Sequence, residues 1–247
     1  MINIVIPMAG KGKRFLDKGI KTPKPLIEIN SEPFIAHVID NMAFQDANFY
    51  FLIREEHLKD HNFDSFFSKK KIKYQIITVK EVTEGAVCTV LLSFKGINKS
   101  VPLIVKDCDQ VINWSKKNFM EFASRRDNDG ILVTVPTANP GFSFVELNDN
   151  MSNVIRTKEK EVVSSFGNTG CYYFKKTSEF EFYANKMIKK NIRVNNEFYV
   201  SQVYNEYLLD NKKILHYPVV EIFSINTPEE LNENKSKLSS FLDSKID

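Results

Sequence analysis

Ile2-Asn3-Ile4-Val5-Ile6-Pro7, followed by Met8-Ala9-Gly10-Lys11-Gly12-Lys13-Arg14-Phe15, decides how the rest of the chain is read. The first part is an apolar run rich in β-branched residues, which predicts a buried strand. Pro7 and two glycines then break it, predicting a tight turn at the carboxyl end of that strand. Lys11, Lys13 and Arg14 crowd the turn, so backbone N–H groups and side-chain cations can meet one anion there. A phosphate fits that description, and so does a plain surface turn. A little further on, Thr22-Pro23-Lys24-Pro25-Leu26 holds a lysine between two prolines that restrict its backbone. The three-glycine dinucleotide fingerprint is not met, because Phe15 stands where the third glycine belongs, and no Gly-Lys-Ser/Thr closes a P-loop.

Working outward, the pattern alternates. Strands are expected at 48–54, 73–79, 101–106 and 130–135, with helices over 31–43, 55–67, 85–92 and 114–126 between them. That order predicts an α/β fold, a Rossmann-like, mostly parallel mixed sheet with helices on both faces. Beyond it the spacing shortens. Phe142 to Leu147, Val154 to Thr157 and Asn168 to Phe174 read as short strands joined by polar turns, a small β-rich lobe laid over the cleft. Helices over 178–190 and 197–209, a strand over 215–225 and a helix opened by Thr227-Pro228-Glu229-Glu230 complete the chain. The expectation is one domain over 1–247, with a nucleotide-binding half at 1–137 and an acceptor-binding half with C-terminal helices at 138–247.

Composition narrows the function classes. Of 247 residues, 34 are Lys or Arg and 31 Asp or Glu, a formal charge of only +3, and no basic block is longer than Ser68-Lys69-Lys70-Lys71. Nucleic acid is therefore not expected as a partner. No stretch is apolar enough for a membrane span and the start lacks a secretory pattern, so the reading is cytoplasmic with no membrane partner. Cys88, Cys108 and Cys171 stand far apart, which fits reduced thiols rather than a disulfide framework. His57 and His61 are four residues apart without H-E-x-x-H or a third ligand, which disfavours zinc. A homo-oligomer is left open.

Met-Ala-Gly-Lys-Gly-Lys-Arg-Phe at 8–15 together with Pro-Lys-Pro-Leu at 23–26 resembles the signature of nucleotidyltransferases that activate sugar phosphates and phosphorylated alcohols. The resemblance extends to the compact members of capsule synthesis and the phosphoalcohol cytidylyltransferases. It implies a triphosphate loop of Met8, Ala9, Gly10, Gly12, Lys13 and Arg14, with Lys13 replacing the family's small hydroxyl residue. Arg14 and Lys24 match the cations that hold the triphosphate and stabilise departing pyrophosphate. Glu84-Gly85-Ala86 resembles the segment near the base, and Asp107-Cys108-Asp109 the strand end that binds magnesium, the role falling on Asp109 with Asp107 as rival. Lys160 resembles the lysine that meets the acceptor's phosphate, and Asn168-Thr169-Gly170 the strand closing the acceptor pocket. Where many relatives carry a second metal-binding aspartate this chain has Ser224, with Glu221 and Asn226 nearby, which leaves a second ligand open.

What the resemblance implies is magnesium-dependent transfer of a nucleoside monophosphate from a pyrimidine triphosphate, CTP ahead of UTP or dTTP, to a phosphorylated small molecule. The roles assigned to the chemistry are Arg14, Lys24, Asp109 and Lys160. The attacking phosphate oxygen is already ionised near neutral pH, so no general base is required, consistent with only four histidines and no nucleophile triad. Two departures, Lys13 and Ser224, motivate an alternative: a regulatory protein that senses a nucleotide without turnover. A dinucleotide-dependent oxidoreductase is disfavoured by the missing third glycine.

Overall fold

The computed structural model describes residues 1–125 and 127–244. In chain order its elements begin with β1 (Ile2–Met8), α1 (Lys13–Leu16), β2 (Glu28–Ile29), β3 (Glu32–Pro33), α2 (Phe34–Met42) and β4 (Ala47–Arg54). Next come α3 (Glu55–Asp60), α4 (Phe63–Phe67), β5 (Lys73–Val79), α5 (Ala86–Leu91), β6 (Leu103–Lys106), β7 (Gln110–Asn113) and α6 (Lys116–Arg125). The second half runs β8 (Gly130–Pro136), β9 (Ser143–Leu147), β10 (Val154–Glu159), β11 (Phe166–Phe174), α7 (Thr177–Lys189) and α8 (Val200–Leu209). It closes with β12 (Ile214–Pro218), β13 (Glu221–Ser224) and α9 (Pro228–Asp243).

Nine strands form one mixed sheet in the order β10-β9-β11-β6-β1-β4-β5, with β8 paired to β11 and β12 to β8. The run β6-β1-β4-β5 is parallel, while β11 is antiparallel to β6, β8 and β9. The parallel strands are apolar because helices cover both sheet faces. In β1, Ile2, Ile4, Ile6 and Met8 pack into one core cluster and Val5 into the other, the period-2 division of a strand buried on both sides. The strand order places β1 and β6 side by side with connections leaving in opposite directions, so their carboxyl ends open a crevice at the topological switch point.

Several expected boundaries move for local reasons. Asn30 and Ser31 have φ of 50° and 61° and turn the β2–β3 hairpin, so the first long helix starts at Phe34 rather than at a Ser31 cap. The helix expected over 55–67 is two short ones, because Asn62 caps a new start by accepting from Ser65 N–H at 3.1 Å. The strand expected over 215–225 divides at Pro218: β12 stays in the main sheet and β13 pairs with β7. The helix expected over 114–126 is α6; its last expected residue, Arg126, lies outside the described residues. The short strands of the β-rich stretch do not form a sheet of their own but continue the main one through β11. No helix among the described residues is long and apolar enough to cross a membrane.

Candidate functional site

The crevice at the ends of β1 and β6 opens into a cleft of about 730 Å³. Its floor is the turn after β1, Met8 to Lys13, and its flanks are Lys21 to Pro25 on one side and Asp107, Cys108 and Asp109 after β6 on the other. Val82, Thr83, Gly85, Ala86 and Thr89 form a further wall at the start of α5. Five cations line the cleft, Lys11, Lys13, Lys21, Lys24 and Arg54. Pro23 and Pro25 confine Lys24 to a single 3-10 turn, which aims its side chain inward.

Lys24 Nζ is bonded to Asp109 Oδ2. The two groups are three-quarters buried or more, with side-chain exposures of 22% and 11%, so the pair is only weakly screened. Burial opposes charge on both. The Lys24 ammonium nevertheless holds the Asp109 carboxyl below its ordinary range, and Asp109 raises the lysine. Asp107, two residues away, behaves oppositely: desolvation first, and then the Asp109 charge, push its carboxyl up to about 7. Between them burial and Asp109 push the Cys108 thiol up to about 12, which makes it an unreactive neutral group.

Asp109 Oδ1 is buried and has no protein partner. A buried acceptor left open beside a second carboxylate is the donor set of a hard divalent cation that completes its shell from water and substrate phosphate oxygens. Asp109 and Asp107 therefore fit magnesium. Among the described residues no three His, Cys, Asp or Glu side chains converge into a closed metal site.

Gly170 joins this turn to β11. Its carbonyl accepts from Asp107 N–H at 2.8 Å. Its φ is 61°, and a Cβ there would sit 2.5 Å from Asp107 Oδ2, so both conformation and space require glycine. The irregularity in the β11–β8 register between Asn168 and Tyr172 is the price of bringing the strand so close. Thr169 Oγ1 donates to Val133 O at 3.0 Å and Asn168 Nδ2 to Ser143 Oγ at 2.7 Å. The fully buried Lys106 donates to Thr169 O at 3.3 Å.

The remaining expected residues are dispersed. Arg14, on α1, is exposed and lies outside the cleft lining. Glu84 turns outward and pairs with Arg193 at 2.6 Å, while Gly85 and Ala86 line the cleft. Lys160 does not line it either; it has φ of 57° and donates to Tyr199 Oη at 2.7 Å. Ser224 and Glu221 line a separate cavity of about 320 Å³. The Ser224 hydroxyl donates to Glu230 Oε2 at 2.7 Å, and the same carboxylate accepts from Asn226 N–H at 3.1 Å. That carboxylate belongs to the start of α9, where Thr227 Oγ1 accepts from Glu230 N–H at 3.1 Å. Ser224 is thus committed to a helix start.

Sequence reasoning missed Arg54 and Glu197 and weighed His57 and His61 only as a disfavoured zinc pair; all four line the cleft. Arg54 ends β4, and the rule that ligands sit beyond the carboxyl ends of parallel strands could have found it. His57 is held below its ordinary range by burial and by the Arg54 charge, so it is neutral at pH 7. Glu197 carried no local signal, because it reaches the cleft from a hairpin between α7 and α8.

The architecture is a parallel α/β crevice in which a cation-lined glycine turn faces a strand-end carboxylate pair. The chain belongs to the nucleotidyl transferase family, whose model matches residues 4–217. It is 25% identical over 176 residues to the bifunctional protein GlmU of Methanococcus maripaludis, over 69% of this chain and 39% of that protein. The chain thus spans about two fifths of the length of that curated relative. Among solved structures, the nucleoside-diphosphate-sugar pyrophosphorylase of Vibrio cholerae RC9 shares the fold with a TM-score of 0.82 at 21% identity, covering 94% of this chain and 99% of that one. The inositol-1-phosphate CTP transferase of T. maritima does so at 0.76 and 13% identity, covering 96% and 94%.

Proposed function

We propose that this protein transfers a nucleoside monophosphate from a pyrimidine nucleoside triphosphate, CTP before UTP or dTTP, to a phosphorylated small molecule, releasing pyrophosphate. The setting we propose is the synthesis of capsule or surface-polysaccharide precursors. The observation that carries the reading is the Lys24–Asp109 pair at the mouth of β1 and β6, a buried cation and anion facing a cation-lined cleft. The preference for CTP draws on the shared fold of the T. maritima inositol-1-phosphate CTP transferase.

In this reading an oxygen of the acceptor's phosphate attacks the α-phosphorus as the bond from that phosphorus to the bridging oxygen breaks. The electron pair leaves with pyrophosphate. Lys24 moves from Asp109 onto the β and γ phosphates and takes up charge as that bond lengthens, with Lys11 and Lys13 lining the same cleft and Arg14 acting from α1, outside that lining. Asp109, aided by Asp107, would hold magnesium, whose charge neutralises phosphate oxygens when it is bound. The backbone from Met8 to Gly12 cradles the phosphates, and Gly85 and Ala86 border the base. Lys160 holds the acceptor's phosphate, with Asn168, Thr169 and Gly170 forming the strand behind it. No residue has to remove a proton from the attacking oxygen, so charge and alignment account for the whole acceleration.

The test is pyrophosphate release. The purified protein is incubated with magnesium, each of CTP, UTP, dTTP, ATP and GTP, and a pool of phosphorylated sugars, alcohols and amides, with mass detection of nucleotide-linked products. Release with one triphosphate, and only when an acceptor is present, is the expected outcome. Selective binding of one nucleotide without release from any combination would replace the enzyme with a nucleotide-sensing regulatory protein.

A further inference from the structure

The segment between α7 and α8 ties two distant parts of the molecule together. Asn195 and Asn196 have φ of 48° and 63°, as the two central residues of a type I′ turn require. Val194 and Glu197 exchange both backbone hydrogen bonds across that turn, at 2.9 and 3.1 Å. Asparagine tolerates the left-handed region, so this is a well-specified hairpin. Its far side is docked on the segment that borders the cleft at 84–87. Phe198 N–H donates to Glu84 O at 2.9 Å, and Phe198 O accepts from Val87 N–H at 3.2 Å. Arg193 lies 4.0 Å over the Phe198 ring while bonding the Glu84 carboxylate. Gly85 completes the seat, because a Cβ at that position would collide with the Phe198 backbone.

Tyr199, the next residue, is where the hairpin meets Lys160. Its hydroxyl oxygen accepts from the Lys160 ammonium at 2.7 Å, and its ring lies 4.9 Å from the same nitrogen. We propose that Tyr199 is a second donor to the acceptor's phosphate and acts as one unit with Lys160. The inference rests on the reading of Lys160 as the acceptor-phosphate lysine. An ammonium has three N–H donors and gives one to Tyr199; a phenol can accept and donate at once. Accepting from a cation polarises the phenol and strengthens its own O–H as a donor. Both side chains are only partly buried, so both keep a donor for a ligand. Two donors fixed against each other in this way can reach neighbouring oxygens of one phosphate.

The surroundings make the second donor necessary. Glu159 lies beside the pair and accepts from Ser201 Oγ at 2.9 Å. Its charge and that of Glu197 oppose an incoming dianion, and the single Lys160 ammonium offsets only part of that repulsion. Because the hairpin is seated on residues 84–87, the phosphate donors are also held in register with the wall of the cleft that borders the base.

Inorganic phosphate is the probe, its binding followed by broadening of the 31P resonance, for wild type, Lys160→Met, Tyr199→Phe and the double variant. Tyr199→Phe keeps the ring and removes only the hydroxyl, and matched melting curves establish that the fold is intact. Each single substitution is expected to weaken phosphate about tenfold, and the double variant to be little weaker than Lys160→Met alone, as residues acting together are non-additive. Wild-type phosphate binding by Tyr199→Phe, with loss in Lys160→Met, would overturn the role of Tyr199 and leave the acceptor reading standing. Wild-type binding by Lys160→Met would overturn the acceptor reading and the inference with it.

Discussion

The two sides of the sheet build their sites by different means. On the parallel side, the glycine turn and the carboxylate pair come from two short continuous stretches, Met8 to Lys13 and Asp107 to Asp109, each following the carboxyl end of a buried strand. On the antiparallel side, Lys160, Asn168 to Gly170, and Tyr199 with Ser201 come from three separate segments joined by side-chain contacts and a distorted register. The charge chemistry differs too. Lys24 is matched to a carboxylate, Asp109, whereas Lys160 is matched to a neutral phenol, Tyr199. A parallel sheet fixes its ligand groups through backbone direction, so they are nearly independent of the far chain; an antiparallel patch depends on every partner.

The sharpest test of that difference is Asp109→Ala. On the parallel side the strand end should survive the loss of one side chain, so the fold stays intact while kcat/KM for pyrophosphate release falls by about 10³-fold, about 4 kcal/mol. Activity like wild type would shift the metal-holding role to Asp107. Lys24→Ala comes next, with an expected loss of about 10²-fold, about 3 kcal/mol. In the proposed role Lys24 meets phosphates rather than the base, so the loss should be the same for every triphosphate accepted. A loss confined to one base would contradict that role.

That asymmetry also governs how much could be read from the sequence. The β1 run and the glycine turn after it are local: apolar period, Pro7 and two glycines specify strand and turn without help from elsewhere. The position of Asp109 just past β6 was legible for the same reason, as was the α9 start, where Thr227, Pro228 and Glu230 lie within one turn. Tyr199 was not legible. It was expected inside a helix over 197–209, because the apolar spacing there suits a helix, and the docking of Phe198 onto Glu84 and Val87 across the fold instead delays that helix to Val200. Gly170 reads as part of a strand, yet its role depends on Asp107, 63 residues away, approaching its Cα. Ser224 stands where a second metal ligand was sought, but its hydroxyl is spent on Glu230.

Gly170→Ala probes the seam between the two sides. Alanine at φ of 61° is strained by about 1–2 kcal/mol, and its methyl group would press on the Asp107 carboxylate. The expected loss of stability is about 2–3 kcal/mol, read as a lowered urea midpoint with unchanged m-value. Undiminished stability would mean that β11 can move away from the Asp107 turn, making the two sides more independent than their contacts indicate.

The smallest effect concerns the pH dependence of the same seam. Desolvation and the Asp109 charge raise the folded-state Asp107 carboxyl from 3.8 to about 7. Between those limits the folded protein binds more protons at this site than the unfolded chain, so stability falls as pH rises through the window and levels off above it. Asp109 shifts the other way, and its contribution is lost only below the ordinary carboxylate range, outside the interval. Glu159 is also raised, with the same sign, but it is present in both proteins and cancels in a difference. In EDTA, the stability of wild type minus that of Asp107→Asn should therefore decline by about 1–2 kcal/mol from pH 6 to pH 8. Magnesium should flatten the decline, because a cation on the carboxylates favours their ionised form. A difference that is constant across that range in EDTA would mean that Asp107 is already ionised in the folded protein. The two carboxylates of the turn would then be equally charged, and the contrast between a paired and an unpaired acid would be lost.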